Sequence, residues 1–232
     1  MPLAWFAHLY TALGAVLALA AMASVNDGEF RTAFLFLIAT TVIDTTDGVL
    51  ARAFRVKERL PHYDGARLDD IVDYLTYVFV PVVLMWQAGL LPDGWAIAIG
   101  GCVLVASAYG FGQADAKVKG ADYFFTGFPS YWNIVAVYLF VWGLSQWANA
   151  AILLVLALLV FVPIRYVYPS RTRTLQAPTL ILGVTWALLV VAMVWRLPAT
   201  DGPWMALSLV FPVYYAALSA WLHLRTPPTL NS

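Results

Sequence analysis

The sequence predicts an all-α membrane protein, a polytopic bundle of about eight transmembrane helices with both termini cytoplasmic. Three observations carry that reading. Hydrophobic residues make up 62% of the chain and charged residues only 11%, with a mean hydropathy of +0.78, whereas soluble domains carry about 25% charged residues. The apolar residues gather into stretches of about twenty, the length a helix needs to cross a bilayer. Eleven of the thirteen Lys and Arg fall in alternate joints between those stretches, an asymmetry that marks the cytoplasmic side.

The elements follow in order. Residues 3–23 form a first span. Ala21-Met22-Ala23 imitates a signal-peptidase site, but residues 1–7 hold no Lys or Arg, and His8 and Tyr10 interrupt the apolar run, so a retained helix is expected. His8 is read as satisfying a local contact. After a polar turn over 24–29, a second span runs over 31–52 and a third over 66–87. Further spans are expected at 94–113, 130–146, 148–168, 176–195 and 203–224, with Gly, Pro and Asp at the joints, as in Leu91-Pro92-Asp93-Gly94. The cytoplasmic joints then hold Arg52, Arg55, Lys57, Arg59 and Arg67, then Lys117 and Lys119, then Arg165, Arg171 and Arg173, and finally Arg225. Only Arg31 and Arg196 fall outside.

One integral membrane domain over 1–232 is expected, with no internal repeat. Thirteen basic and thirteen acidic residues leave no net charge, so nothing points to nucleic acid. The single cysteine, Cys102, lies in an apolar run and excludes a disulfide framework or a thiolate metal site.

The chemistry concentrates in residues 44–73, DTTDGVLARAFRVKERLPHYDGARLDDIVD. A helix advances about 100° per residue, so Asp44, Asp47, Gly48 and Ala51 share one face, and Gly65, Asp69 and Asp73 share another. Carboxylates are costly inside lipid and point to function. Two facing helices would bring these four acids together, where they repel unless cations lie between them. Oxygen-only ligands select a hard ion, Mg²⁺ or Mn²⁺, and four carboxylates suffice for two ions. Gly48, Ala51 and Gly65 strip bulk from the same faces, and Arg52 offers a fork for phosphate oxygens. Together these residues describe a diphosphate site.

The pattern D-x2-D-G-x2-A-R … G-x3-D-x3-D resembles the signature of the CDP-alcohol phosphatidyltransferase family, matching it at eight positions across thirty residues. The gap between Arg52 and Gly65 is longer than in most members, with twelve residues from 53 to 64. That variant is similar to the one in the bacterial phosphatidylcholine synthase subfamily, as are the run Phe124 to Asn133 and the overall length.

The resemblance implies a membrane enzyme that moves a phosphatidyl group from CDP-diacylglycerol to an alcohol, releasing CMP, with choline as the acceptor. It implies that Asp44, Asp47, Asp69 and Asp73 bind two ions, Mn²⁺ or Mg²⁺, and that Asp73 is the general base. Asp44, Asp47, Gly48, Ala51, Arg52, Gly65 and Asp69 would contact the CDP group. Residues 1–168 would form a six-helix catalytic unit, followed by two further helices over 169–232. A bacterial inner-membrane location is also implied, with a homodimer as a possible assembly, and the Lys and Arg asymmetry places the acids near the cytoplasmic face.

A quaternary ammonium offers charge but no donor, and aromatic faces are the expected receptor. Tyr123, Phe124, Tyr131 and Trp132 lie in a joint and the helix entry that follows it, on the same side as the acids, and are the candidate choline residues. Interfacial aromatics also occur for topological reasons alone. Two alternatives stay open: another acceptor, such as serine, inositol or glycerol phosphate, and a divalent-cation transporter. A phosphorylated acceptor would want added cations beside the acids. Transport would want polar access from both faces, yet the outer halves of the second and third spans are apolar.

Overall fold

The computed structural model describes residues 2–113, 117–118, 124–169, 171–199 and 202–225, and it is 77% helical. In chain order the elements are α1 (Pro2–Asn26), α2 (Phe30–Ala53), α3 (Val56–Arg59), α4 (Gly65–Asp73), a π-helical turn (Tyr74–Phe79) and α5 (Val80–Gln87). Next come α6 (Ala96–Gly112), β1 (Lys117–Val118), β2 (Phe124–Thr126), α7 (Trp132–Trp142) and α8 (Gln146–Phe161). The chain ends with β3 (Arg165–Val167), α9 (Gln176–Arg196), α10 (Trp204–Ser208) and α11 (Val210–Arg225).

Among the described residues, four helices are long and apolar enough to cross a membrane: α1, α2, α9 and the Trp204–Arg225 stretch. Three shorter apolar helices, α6, α7 and α8, accompany them. The chain is therefore a helical membrane protein, with one small sheet that hydropathy did not anticipate.

The breaks in the expected spans have local causes. The third span is helical throughout from Gly65 to Gln87, but its middle widens into the π turn. Pro81 has no N–H, and its ring crowds the carbonyl of Tyr77 four residues back, so a regular α-helix cannot continue there. The span expected over 148–168 stops at Phe161, just before Pro163, and residues 165–167 become β3. Pro212 likewise cannot bond back to Ser208, and α10 and α11 part there. α7 ends at Gly143, whose φ of 60° ordinary residues rarely adopt.

The described chain divides into two compact units. The first comprises residues 1–104 and 131–151. Here α1 lies along α2 and also touches α4 and α5, while α7 packs on α5 and α2. The buried face of α1 is Ala4, Ala7, His8, Thr11, Gly14, Ala18, Ala21 and Val25, a helical stripe of mostly small residues. Small residues let membrane helices approach closely where no hydrophobic effect drives association. Its other face, including Leu9, Val16 and Leu19, is exposed.

That close approach predicts a mutational result. A β-carbon on Gly14 would sit 2.5 Å from Cγ1 of Val72 on α4. Gly14→Ala is therefore expected to destabilise the protein by about 1–3 kcal/mol, read as a lowered melting temperature in detergent. Leu19→Ala, on the outer face, should change it little.

The second unit comprises residues 105–130 and 152–232. Its antiparallel sheet has the order β1-β2-β3, with Val118 opposite Phe124 and Phe124 opposite Val167. Val167 packs with Phe124, Leu218 and Leu222, and its N–H donates to Ser219 Oγ at 3.1 Å, fixing β3 on α11. Thr179 on α9 and Tyr214 on α11 share a hydroxyl hydrogen bond of 2.8 Å.

Candidate active site

The acids come from two helices of the first unit. Asp44 and Asp47 lie in the second half of α2, and Asp69 and Asp73 lie on α4, Asp73 being its final residue. Carboxylate oxygens of Asp44, Asp47 and Asp69 all lie within 4.8 Å of one another. Asp47 is buried at 8% exposure, and Asp44 and Asp69 are partly buried. Oxygens on opposite sides of a Mg²⁺ with bonds of 2.0–2.1 Å stand about 4 Å apart. The three carboxylates thus form a group that could hold a metal ion after small side-chain adjustments.

Neighbouring helices orient two of these acids. The Thr11 hydroxyl, buried on α1, donates to Asp47 Oδ2 at 2.8 Å. The Tyr77 hydroxyl donates to Asp44 Oδ2 at 2.6 Å, from the π turn that follows Asp73. Both donors stand in apolar runs, where a lone hydroxyl reads as ordinary packing. The available signals were positional: Thr11 shares the small face of α1, and Tyr77 follows Asp73 by one turn. A 2.8 Å hydrogen bond between Tyr10 and Thr46 adds a second link between α1 and α2.

The small residues expected around a diphosphate take distinct positions. Arg52 is exposed, and its Nη1 lies over Gly48, where a β-carbon would come within 3.3 Å of it. Ala51 packs with Phe54 and Leu60 against Ala4, Ala7 and Val56. Gly65 opens α4 beneath the His8 ring, and a β-carbon there would meet His8 Cε1 at 2.6 Å.

His8 sits between Trp5 and Tyr63, with ring centroids 6.0 and 4.4 Å away. Its contacts are aromatic, and its buried Nε2 has no hydrogen-bond partner among the described residues. Asp64 caps α4 by accepting from the Arg67 N–H at 3.2 Å, and also pairs with the Arg67 guanidinium at 3.2 Å.

The candidate choline residues separate. Tyr123 lies outside the described residues. Phe124, 5% exposed, is enclosed by Val167, Leu218 and Leu222 in the second unit. Trp132 is fully buried in the first. Tyr131 is partly buried, with its ring centroid 6.0 Å from that of Tyr77. Just beyond it, the Asn133 amide donates to Thr41 at 3.3 Å, linking α7 to the turn of α2 before Asp44.

No family model matches the chain. Individual proteins do. It is 36% identical to the phosphatidylcholine synthase of Pseudomonas aeruginosa over 226 residues, covering 96% of this chain and 92% of that one. It is also 36% identical to the phosphatidylcholine synthase of Legionella pneumophila, over 93% of this chain and 87% of the relative. The phosphatidylcholine synthase of Borreliella burgdorferi is 31% identical, over 94% and 92%. Likeness this long takes in the acid-bearing helices and the joints between them together, and the chain belongs to the phosphatidylcholine synthase family.

Proposed function

We propose that this membrane enzyme makes phosphatidylcholine by transferring the phosphatidyl group of CDP-diacylglycerol to choline. The observation that carries the reading is the carboxylate group of Asp44, Asp47 and Asp69, spanning two helices, in a chain akin to phosphatidylcholine synthases along nearly its whole length.

Asp44, Asp47, Asp69 and Asp73 would hold two divalent ions, Mn²⁺ or Mg²⁺. The chemistry such ions supply when bound is neutralisation of the diphosphate and stabilisation of the departing CMP. Gly48 leaves room for Arg52 to lie against the helix and meet a phosphate oxygen. Ala51 and Gly65 belong to the same motif, but their small size serves packing as well, since Ala51 lies against α1 and the His8 ring covers Gly65.

Asp73 takes the proton of the choline hydroxyl. The choline oxygen attacks the lipid-side phosphorus, a new P–O bond forms, and the bond between the two phosphoryl groups breaks. CMP leaves with the bridging oxygen and its electron pair. Of the candidate choline residues, Tyr131 would offer an aromatic face to the quaternary ammonium, whereas Phe124 and Trp132 are taken up by packing.

The chain would cross a bacterial inner membrane eight times with both ends in the cytoplasm, placing the acids near that face. Residues 1–168 would be the catalytic unit, and a homodimer would be the working form. The deciding experiment offers purified protein CDP-diacylglycerol with deuterated choline, serine, inositol or glycerol phosphate, with products read by mass spectrometry. Deuterated phosphatidylcholine as the main product supports the acceptor. A serine, inositol or glycerol phosphate product keeps the transferase and rejects choline.

A further inference from the structure

We infer that Tyr77 is a positioning residue for the metal site, holding the Asp44 carboxylate in the orientation in which it can bind a cation. The inference rests on reading Asp44, Asp47 and Asp69 as metal ligands and deepens it.

Asp44 stands on α2, whereas Tyr77 stands on the helical stretch that carries Asp69 and Asp73. Their 2.6 Å hydrogen bond therefore ties together the two helices whose spacing sets the carboxylate group. A carboxylate on a flexible side chain can rotate, and a donor fixed on one of its oxygens limits that rotation. Outer partners of this kind orient metal ligands elsewhere.

Tyr77 is itself held firmly. Its side chain is 7% exposed, and its ring lies against Tyr131 at the start of α7. α7 is tied back to α2 by the hydrogen bond from Asn133 to Thr41. The phenol thus has a fixed place relative to α2, measured from two directions. It also lies in the π turn, a costly local geometry that often accompanies functional sites and is maintained here by Pro81.

The test is Mn²⁺ titration of the purified full chain in detergent, followed by the electron paramagnetic resonance of the free ion. Wild type is compared with Tyr77→Phe and Tyr10→Phe. The second variant removes a tyrosine hydroxyl that also bridges two helices, at 2.8 Å to Thr46, but touches no carboxylate.

Tyr77→Phe is expected to raise the Mn²⁺ dissociation constant about tenfold or more, to lower the melting temperature without metal no more than Tyr10→Phe does, and to regain turnover as Mn²⁺ is raised. Tyr10→Phe should bind Mn²⁺ like wild type. Wild-type affinity in Tyr77→Phe overturns the assignment, and so does equal weakening in both variants, which would mark general loosening. Wild-type protein that leaves Mn²⁺ free overturns the underlying metal reading, and the wild-type trace alone distinguishes that result.

Discussion

Asp73→Asn is expected to slow phosphatidyl transfer to choline by about 10²–10⁴-fold, the usual contribution of a general base, while Mn²⁺ still binds. The separation follows from geometry. Asp44, Asp47 and Asp69 group their oxygens within 4.8 Å without needing Asp73. Asp73 stands one turn beyond Asp69, at the point where α4 gives way to the π turn. Asparagine preserves the shape but removes both the ability to accept a proton and the negative charge that Asp73 would offer an ion, so Mn²⁺ binding is expected to weaken without being lost. Loss of turnover together with all Mn²⁺ binding would instead make Asp73 a ligand that the ion cannot do without.

Asp47→Asn should give the complementary result. Asp47 is buried and is fixed by Thr11 from a third helix. Its oxygen is part of the group that could hold an ion, so the substitution is expected to weaken Mn²⁺ binding by more than the 10–100-fold typical of a lost supporting partner. Turnover should fall with it. The asparagine side chain can still accept from Thr11, so thermal stability without metal should stay near wild type. A variant that melts early and binds Mn²⁺ normally would recast Asp47 as a structural link between α1 and α2.

The acids were legible because a carboxylate in an apolar helix is costly, and four of them at helical spacing are tolerable only where cations offset their charge. Gly48, Ala51 and Gly65 were legible for a related reason, since bulk missing beside acids implies close approach. Tyr77 and Thr11 were not, because a hydroxyl in an apolar run reveals nothing about a partner 33 or 36 residues away. Hydropathy also ranks an apolar surface without saying what covers it. Trp132 and Phe124 therefore read equally well as ligand faces or as packing, and both are packed. The same blindness hid β3. Apolar residues 148–168 suit a helix or a buried strand, and Pro163 decides where the one stops and the other begins.

The most direct test of metal-dependent phosphatidyl transfer follows radioactive choline into lipid with purified protein and CDP-diacylglycerol, measuring CMP release alongside, with Mn²⁺ or with a chelator. Labelled phosphatidylcholine and CMP are expected in equal amounts, both lost on chelation and restored by Mn²⁺. Labelled lipid formed at the full rate after exhaustive chelation, or formed without CMP, would contradict that chemistry.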